Sequence, residues 1–249
     1  MTAPRRERRH RRDRPRLAPA LFSFFERLQR NNRRDWFEAH RAEYEATVRD
    51  PIRALVEEMD VRLARFAPEI VGDPRRSPFR IYRDVRFSRD KTPYKTHAAV
   101  WFYHRDAGRG VGQEAGGGAG FYFHVGLDTC FLGGGIWMPP RPLLARLRDA
   151  LAADPDGFER IVLAPGFRRR FGDLDEEAML TRVPQGYHPG HPAARWLRYR
   201  SFTAGRELTR REVLRRDLPD LLARDFAALL PLVRWLNAAL GHRPATRRL

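Results

Sequence analysis

The hydrophobic period of the chain changes twice, and that change restricts the fold more than any other feature. From Leu21 to Phe66 apolar residues recur at helical spacing. From Phe79 to Ile136 they alternate, and beyond Pro140 helical spacing returns. Helices, then neighbouring strands, then helices predict an α+β domain, its antiparallel sheet of about four to five strands flanked by N-terminal and C-terminal helices.

Each helix has its own signature. Leu21, Phe24, Phe25 and Leu28 share one face. Asn31-Asn32 breaks this pattern and offers an N-cap for a second helix, with Asp35 in its first turn and Trp36, Phe37, His40, Tyr44 and Val48 as its buried stripe. Asp50-Pro51 opens a third helix carrying Ile52, Leu55, Val56, Met59, Leu63 and Phe66. Later helices are predicted after Pro140, after Asp154-Pro155, at a Thr209–Glu212 capping box and over 219–240, where Pro231 should kink or split the helix.

Strands are predicted over 79–87, 98–104, 120–127 and 130–137, with one more from Arg198 to Phe202. The loop over 107–120 is glycine-rich and should be flexible. Residues 1–16 lack apolar periodicity and are expected to form a disordered basic tail ahead of a single domain over 17–249. No apolar run approaches the ~20 residues of a membrane span, and none follows the basic start as a signal peptide would require. One cysteine, Cys130, excludes an internal disulfide framework and a multi-cysteine zinc site, which suits a reducing cytoplasm.

The net charge is +17, of which the first sixteen residues carry +6 and the rest +11. Such a field attracts polyanions, so the tail suggests nucleic acid as a partner. Arginine bias in an alanine-rich chain is the competing explanation, with much of the excess a solvated face. That bias makes the two lysines informative. Lys91 and Lys95 are the only ones, four residues apart, where every other basic residue is arginine. An ammonium differs from a guanidinium in shape, hydration and titration, so a retained lysine suggests a specific demand.

The densest polar chemistry surrounds these lysines. Arg80, Arg83, Arg86, Lys91 and Lys95 are the candidate anion-binding residues, since guanidinium forks and ammonium groups bind phosphate or carboxylate oxygens. In a strand, Arg83 would lie between Ile81 and Val85 on the apolar face, a local inconsistency of the kind found at functional sites. Asp84, Asp90, Tyr94 and His97 are the candidate acid–base residues. A structural network of ion pairs explains the same residues equally well. His188 and His191 are better explained as loop residues than as a metal pair, so no metal is predicted. Cys130 with His124 is better explained as a buried thiol than as a nucleophile and base, and Gly133–Gly135 as close packing than as a phosphate cradle.

Asn31-Asn32-Arg33-Arg34-Asp35-Trp36-Phe37 and the run from Arg80 to Thr96 resemble the bacterial and fungal family called domain of unknown function 2461. Gly120–His124, Gly133–Trp137 and Pro184–Tyr187 before His191-Pro192 add to the likeness, which covers about 17–205. Gln185 and Arg200 depart from the family pattern. The resemblance implies one conserved domain and no particular activity, cofactor or reaction. Three functions stay open: binding of, or catalysis on, a phosphorylated or carboxylated small molecule at Arg80–Lys95, nucleic-acid binding, and a non-enzymatic interaction module.

Overall fold

The computed structural model describes residues 16–110 and 117–245. The basic tail lies outside the described residues save for Arg16, as does the centre of the glycine-rich loop.

The chain opens with α1 (Pro19–Arg30), α2 (Arg34–Ala39), α3 (Arg41–Tyr44), a wide π-type turn (Glu45–Arg49) and α4 (Asp50–Phe66). Pro19 starts α1 where its missing N–H costs nothing, and Leu21, Phe24, Phe25 and Leu28 are fully buried. The predicted second helix is interrupted rather than continuous. His40 leaves helical geometry at φ −112° and ψ 14°, its ring stacked on Trp36 at 4.0 Å. The Asn31-Asn32 cap is also not formed: Arg33 occupies the N-cap, without a side-chain cap bond.

The sheet contains β1 (Ile70–Val71), β2 (His97–His104), β3 (Gly120–Gly126), β4 (Cys130–Ile136) and β5 (Phe202–Glu207), antiparallel and in sequence order. Alternation divides its two faces. Val100, Phe123, Leu132 and Arg206 share one side through their register, as do Phe102, Phe121, Gly134 and Ala204. This side meets α10 (Leu218–Ala239), where Phe226 stacks on Phe121 at 4.6 Å and meets Phe102 edge-on at 5.6 Å. Each ring so buried contributes roughly 1.5–3 kcal/mol through surface removed from water. Gly134 lies under α10: a Cβ there would sit 3.2 Å from Leu229 Cβ and 3.0 Å from the Phe121 ring, so a side chain would push helix and sheet apart. Despite Pro231, α10 is not split, because its residues Leu229, Leu230, Leu232 and Val233 are held in the core on either side.

Between β4 and β5 lie α5 (Arg141–Ala153), α6 (Pro155–Val162), α7 (Pro165–Phe171) and α8 (Ala194–Leu197), and α9 (Arg210–Val213) precedes α10. The Thr209–Glu212 capping box forms as predicted: the Glu212 N–H donates to Thr209 Oγ1 at 3.1 Å and the Thr209 N–H to Glu212 Oε2 at 2.8 Å.

Two strand predictions need correction. The last strand begins at Phe202, where the expected segment ends. Tyr199 instead closes the turn after α8 with an N–H bond to the Trp196 carbonyl at 3.1 Å, and pairing with β4 starts at Phe202 opposite Ile136. Residues 79–87 do not form a strand. No continuous ladder forms there: the bridge Tyr82–Tyr94 is isolated, as is Pro78–Val100 just before the segment. Pro93 has no N–H for a ladder, and the side chains of Asp84 and Asp90 capture the N–H groups of Arg86 (3.2 Å) and Thr92 (2.9 Å). The alternation therefore ends at Ile81, and Phe87, expected inside, is 95% exposed.

Candidate functional site

The segment from Arg80 to Lys95 doubles back on itself: the Arg83 N–H donates to Pro93 O at 2.9 Å and the Lys95 N–H to Ile81 O at 2.8 Å. Asn32 holds the returning arm. Its amide donates to Tyr94 O at 2.8 Å and accepts from the Tyr94 N–H at 3.0 Å, imitating a strand partner. Tyr94 is buried, stacked on Phe37 at 4.1 Å. This is why the Asn31-Asn32 motif and the Arg80–Thr96 run are spatially one feature although some sixty residues separate them.

Within the segment the charges divide into two groups. In the first, cations have carboxylate or carbonyl partners. Arg83 contacts Asp90 and Thr92, Arg86 pairs with Asp84 at 2.7 Å, and Lys91 donates to Val85 O at 2.9 Å. The Arg86 side-chain bond is the main cause holding Asp84 down at about 2, and the Thr92 N–H does the same for Asp90, with Arg83 second. Carboxylates so acidic are weak bases at neutral pH. A recess of about 450 Å³ lined by Asn32, Arg83, Asp90, Thr92, Lys95 and His97 lies here.

The second group is Arg80, Lys95 and Arg109. Lys95 Nζ lies 5.5 Å from the centre of the Phe79 ring, and the Arg109 guanidinium 5.2 Å from the same ring. Arg109 also donates to the Arg76 carbonyl. Burial lowers the Lys95 pKa, and the charges of Arg80 and Arg109 lower it further, in that order. Among the described residues no carboxylate pairs with any of these three side chains. Phe79 and Arg109 are the residues sequence reasoning missed. Phe79 reads as part of the predicted 79–87 strand, and Arg109 lies in a glycine-rich loop with no periodicity to mark it.

Phe79 leads into a larger space. The second face of the sheet, formed by Ala99, Trp101, Tyr122, His124, Phe131, Gly133, Gly135, Thr203 and Gly205, is roofed only in part, which leaves a cavity of about 720 Å³. Glycines on β4 and β5 clear its floor. Gly135 has φ +133°, and a Cβ there would run into the Phe202 carbonyl, so the position is closed to other residues. The Trp101 Nε1 and Thr203 Oγ1 atoms are buried with no hydrogen-bond partner among the described residues, and both residues line this cavity.

His97 and His124 stand on the same face, ring centres 4.4 Å apart, with Phe131 stacked on His124 at 4.9 Å and the Tyr122 hydroxyl 3.3 Å from His124 Nδ1. Burial, and then His97, lowers His124 to about 4, while burial and then Lys95 lower His97. Both imidazoles are neutral at pH 7. The unfolded chain binds a proton at these positions near 6.5 and the folded chain resists it, so stability falls as pH drops from about 6.5 towards 4. Urea titrations across that range should show this slope, and His124→Phe should flatten it. An unchanged slope would place the acid sensitivity elsewhere.

The remaining candidates separate. Cys130 lies on the core face and His124 on the other, so they do not form a nucleophile–base pair; the Cys130 thiol instead donates to the Gly126 carbonyl at 3.6 Å. His188 and His191 each accept a backbone N–H within their own turn, from Gly190 at 3.1 Å and Ala193 at 3.0 Å. No three potential metal ligands cluster among the described residues, and no described helix is long and apolar enough to cross a membrane.

Residues 20–235 match the family model DUF2461, described as a conserved hypothetical protein, so the chain belongs to that family. No curated protein and no solved structure matches it.

Proposed function

We propose that this member of the DUF2461 family binds an organic anion, a carboxylate or phosphate carried on an apolar body, with the negative group at Arg80, Lys95 and Arg109 and the body on Phe79 in the cavity beyond. The observation that carries this reading is the uncompensated charge: Lys95 and Arg109 lie against one aromatic ring and the charge of Arg80 acts on Lys95, with no acid paired to them among the described residues. Bringing like charges together around a half-buried ammonium is unfavourable, and an anion removes the cost. Arg83, Arg86 and Lys91 order the loop instead, since each already has its own partner. His97, beside Lys95 and neutral, is the acid–base candidate nearest this anion; Asp84 and Asp90 are too acidic and Tyr94 too buried for that role.

Calorimetric titration with biphenyl carboxylate and phenyl phosphate tests the assignment. Arg80→Ala/Arg109→Ala should weaken binding at least tenfold, whereas Arg83→Ala/Arg86→Ala should retain it. Equal loss in both double variants, or no binding to the unaltered chain, overturns the proposal. Binding of a single-stranded oligonucleotide instead, lost with salt and in Phe87→Ala, would favour a polyanion docked on the exposed loop tip.

A further inference from the structure

A second hollow, a groove of about 230 Å³, lies between the π-type turn with the start of α4 on one side and residues 74–82 on the other. The second wall is fixed to the sheet: the Phe79 N–H donates to Ala99 O at 2.9 Å, and the Trp101 N–H to Ser77 O at 3.0 Å. Buried apolar side chains, Val48, Ile52, Ile81 and Ala99, close the base of the groove. Five arginines line it against a single acid, Glu45. Two of the five are matched: Arg41 pairs with Glu38 at 2.6 Å, and Arg49 pairs with Glu45 and, at 2.9 Å, with Asp50. Arg53, Arg75 and Arg80 have no carboxylate partner among the described residues. Asp73, two residues before Arg75, is taken up by backbone: it accepts the N–H groups of Arg75 and Arg76 at 2.7 and 3.1 Å.

Unmatched arginines in so basic a chain would mean little alone. Tyr44 supplies an independent observation. Its ring is packed on Phe37 at 5.3 Å and Phe24 at 5.8 Å, and the residue lines the groove. Its hydroxyl has no hydrogen-bond partner among the described residues. Burial pushes that phenol up to about 12 against the charges of Arg49 and Arg53, so it stays protonated and is a donor at neutral pH. Three unmatched guanidiniums and a phenol offer more donors, and more charge, than a carboxylate takes up. A phosphate dianion, with its extra oxygens and second charge, matches them.

We infer that this groove is a second anion site, which takes a phosphate dianion, free or as a monoester, on Arg53, Arg75 and Arg80 with the Tyr44 hydroxyl donating to it. The volume is below that of an ordinary ligand pocket and suits a small ion with a short arm. An ester arm has a ring to lie on, since Tyr82 lines the groove and is 48% exposed. The site uses neither Lys95 nor Arg109 and stands apart from the anion site proposed above; Arg80 is the one side chain common to both.

Calorimetric titration of the full chain with inorganic phosphate, phenyl phosphate and acetate, with and without excess biphenyl carboxylate, tests this. Inorganic phosphate should bind at least tenfold more tightly than acetate and persist in excess biphenyl carboxylate. Arg53→Gln/Arg75→Gln, at partly and fully exposed positions, should weaken phosphate at least tenfold and leave biphenyl carboxylate binding intact. Tyr44→Phe, which keeps the ring and removes only the hydroxyl, should weaken phosphate roughly threefold. Tighter binding of phenyl phosphate, reduced in Tyr82→Ala, identifies the monoester, and equal binding the free ion. Phosphate that binds no better than acetate, is fully displaced by biphenyl carboxylate, or is unaffected by Arg53→Gln/Arg75→Gln overturns the groove site and leaves the first anion site standing. Failure of biphenyl carboxylate alone, with phosphate behaving as expected, removes the first site and leaves the groove.

Discussion

Lys95→Met should weaken biphenyl carboxylate binding by one to two orders of magnitude while leaving the melting temperature unchanged or raised. A charge-assisted hydrogen bond is worth about 1.5–3 kcal/mol, which sets the loss. The stability half follows from sign. Burial first, then Arg80 and Arg109, lower the Lys95 pKa from its ordinary 10.5, so the folded chain disfavours the ammonium that the unfolded chain accepts. The penalty is full below the folded value and is relieved as pH rises towards 10.5, where the folded chain loses its proton first. Stability of the unaltered chain should therefore rise through that alkaline window, and the methionine variant should lack this rise. A residue retained against stability is the signature of a binding role. Thermal melts at neutral and alkaline pH beside the titration decide the matter: a drop of several degrees in Lys95→Met would show that the ammonium holds the fold. Lys91→Met is the control, since that ammonium is exposed and bound to the Val85 carbonyl.

Periodicity carried most of the architecture. Strands β2, β3 and β4 and helices α1, α4, α5 and α10 lie where apolar spacing put them, because each buries a continuous apolar row in the core. It failed where local side chains overrode the ladder. Between Phe79 and Phe87 the residues alternate as a strand would, yet Asp84, Asp90 and Pro93 fold the segment into a hairpin-like excursion. The site was legible in part for the same reason. The retained lysines marked the right segment, but charge density alone does not distinguish Arg83, already matched by Asp90, from Lys95, matched by nothing described. The partners that decide this are distant in sequence: Phe79 and Arg109 at one end of the cavity, Thr203 and Glu207 at the other. The Phe79 N–H bond to Ala99 O and the Arg109 contact with the Phe79 ring bring the first pair together, and the β4–β5 register sets the second pair on one strand face.

Asp225→Ala should be among the most damaging single changes, costing about 3 kcal/mol or more in urea denaturation. The Asp225 carboxylate on α10 is fully buried, beside Phe226 and within one turn of Leu222 and Leu229. It accepts from Arg170 on α7, and from Arg206 on β5 at 3.2 and 3.0 Å. Arg206 reaches on to Glu212 at 3.1 Å, so one carboxylate joins two helices to the edge strand. Taking a carboxylate out of water is expensive, and two guanidinium partners offset that cost only while all three are present. Without Asp225 the guanidiniums face each other. Arg170, 41% exposed, can turn to solvent, whereas Arg206, 26% exposed, retains Glu212 as its one carboxylate partner beside the Glu207 carbonyl. This asymmetry puts the expected loss at the lower end of the 3–5 kcal/mol typical of a broken buried pair, still a large share of the 5–15 kcal/mol that holds a typical domain. The damage should also reach the cavity. Arg206 follows Gly205, which clears the cavity floor, so loosening β5 should also weaken biphenyl carboxylate binding. A loss under about 1 kcal/mol, with biphenyl carboxylate binding intact, would mean that water replaces the carboxylate and that β5 is held by its ladder to β4 alone.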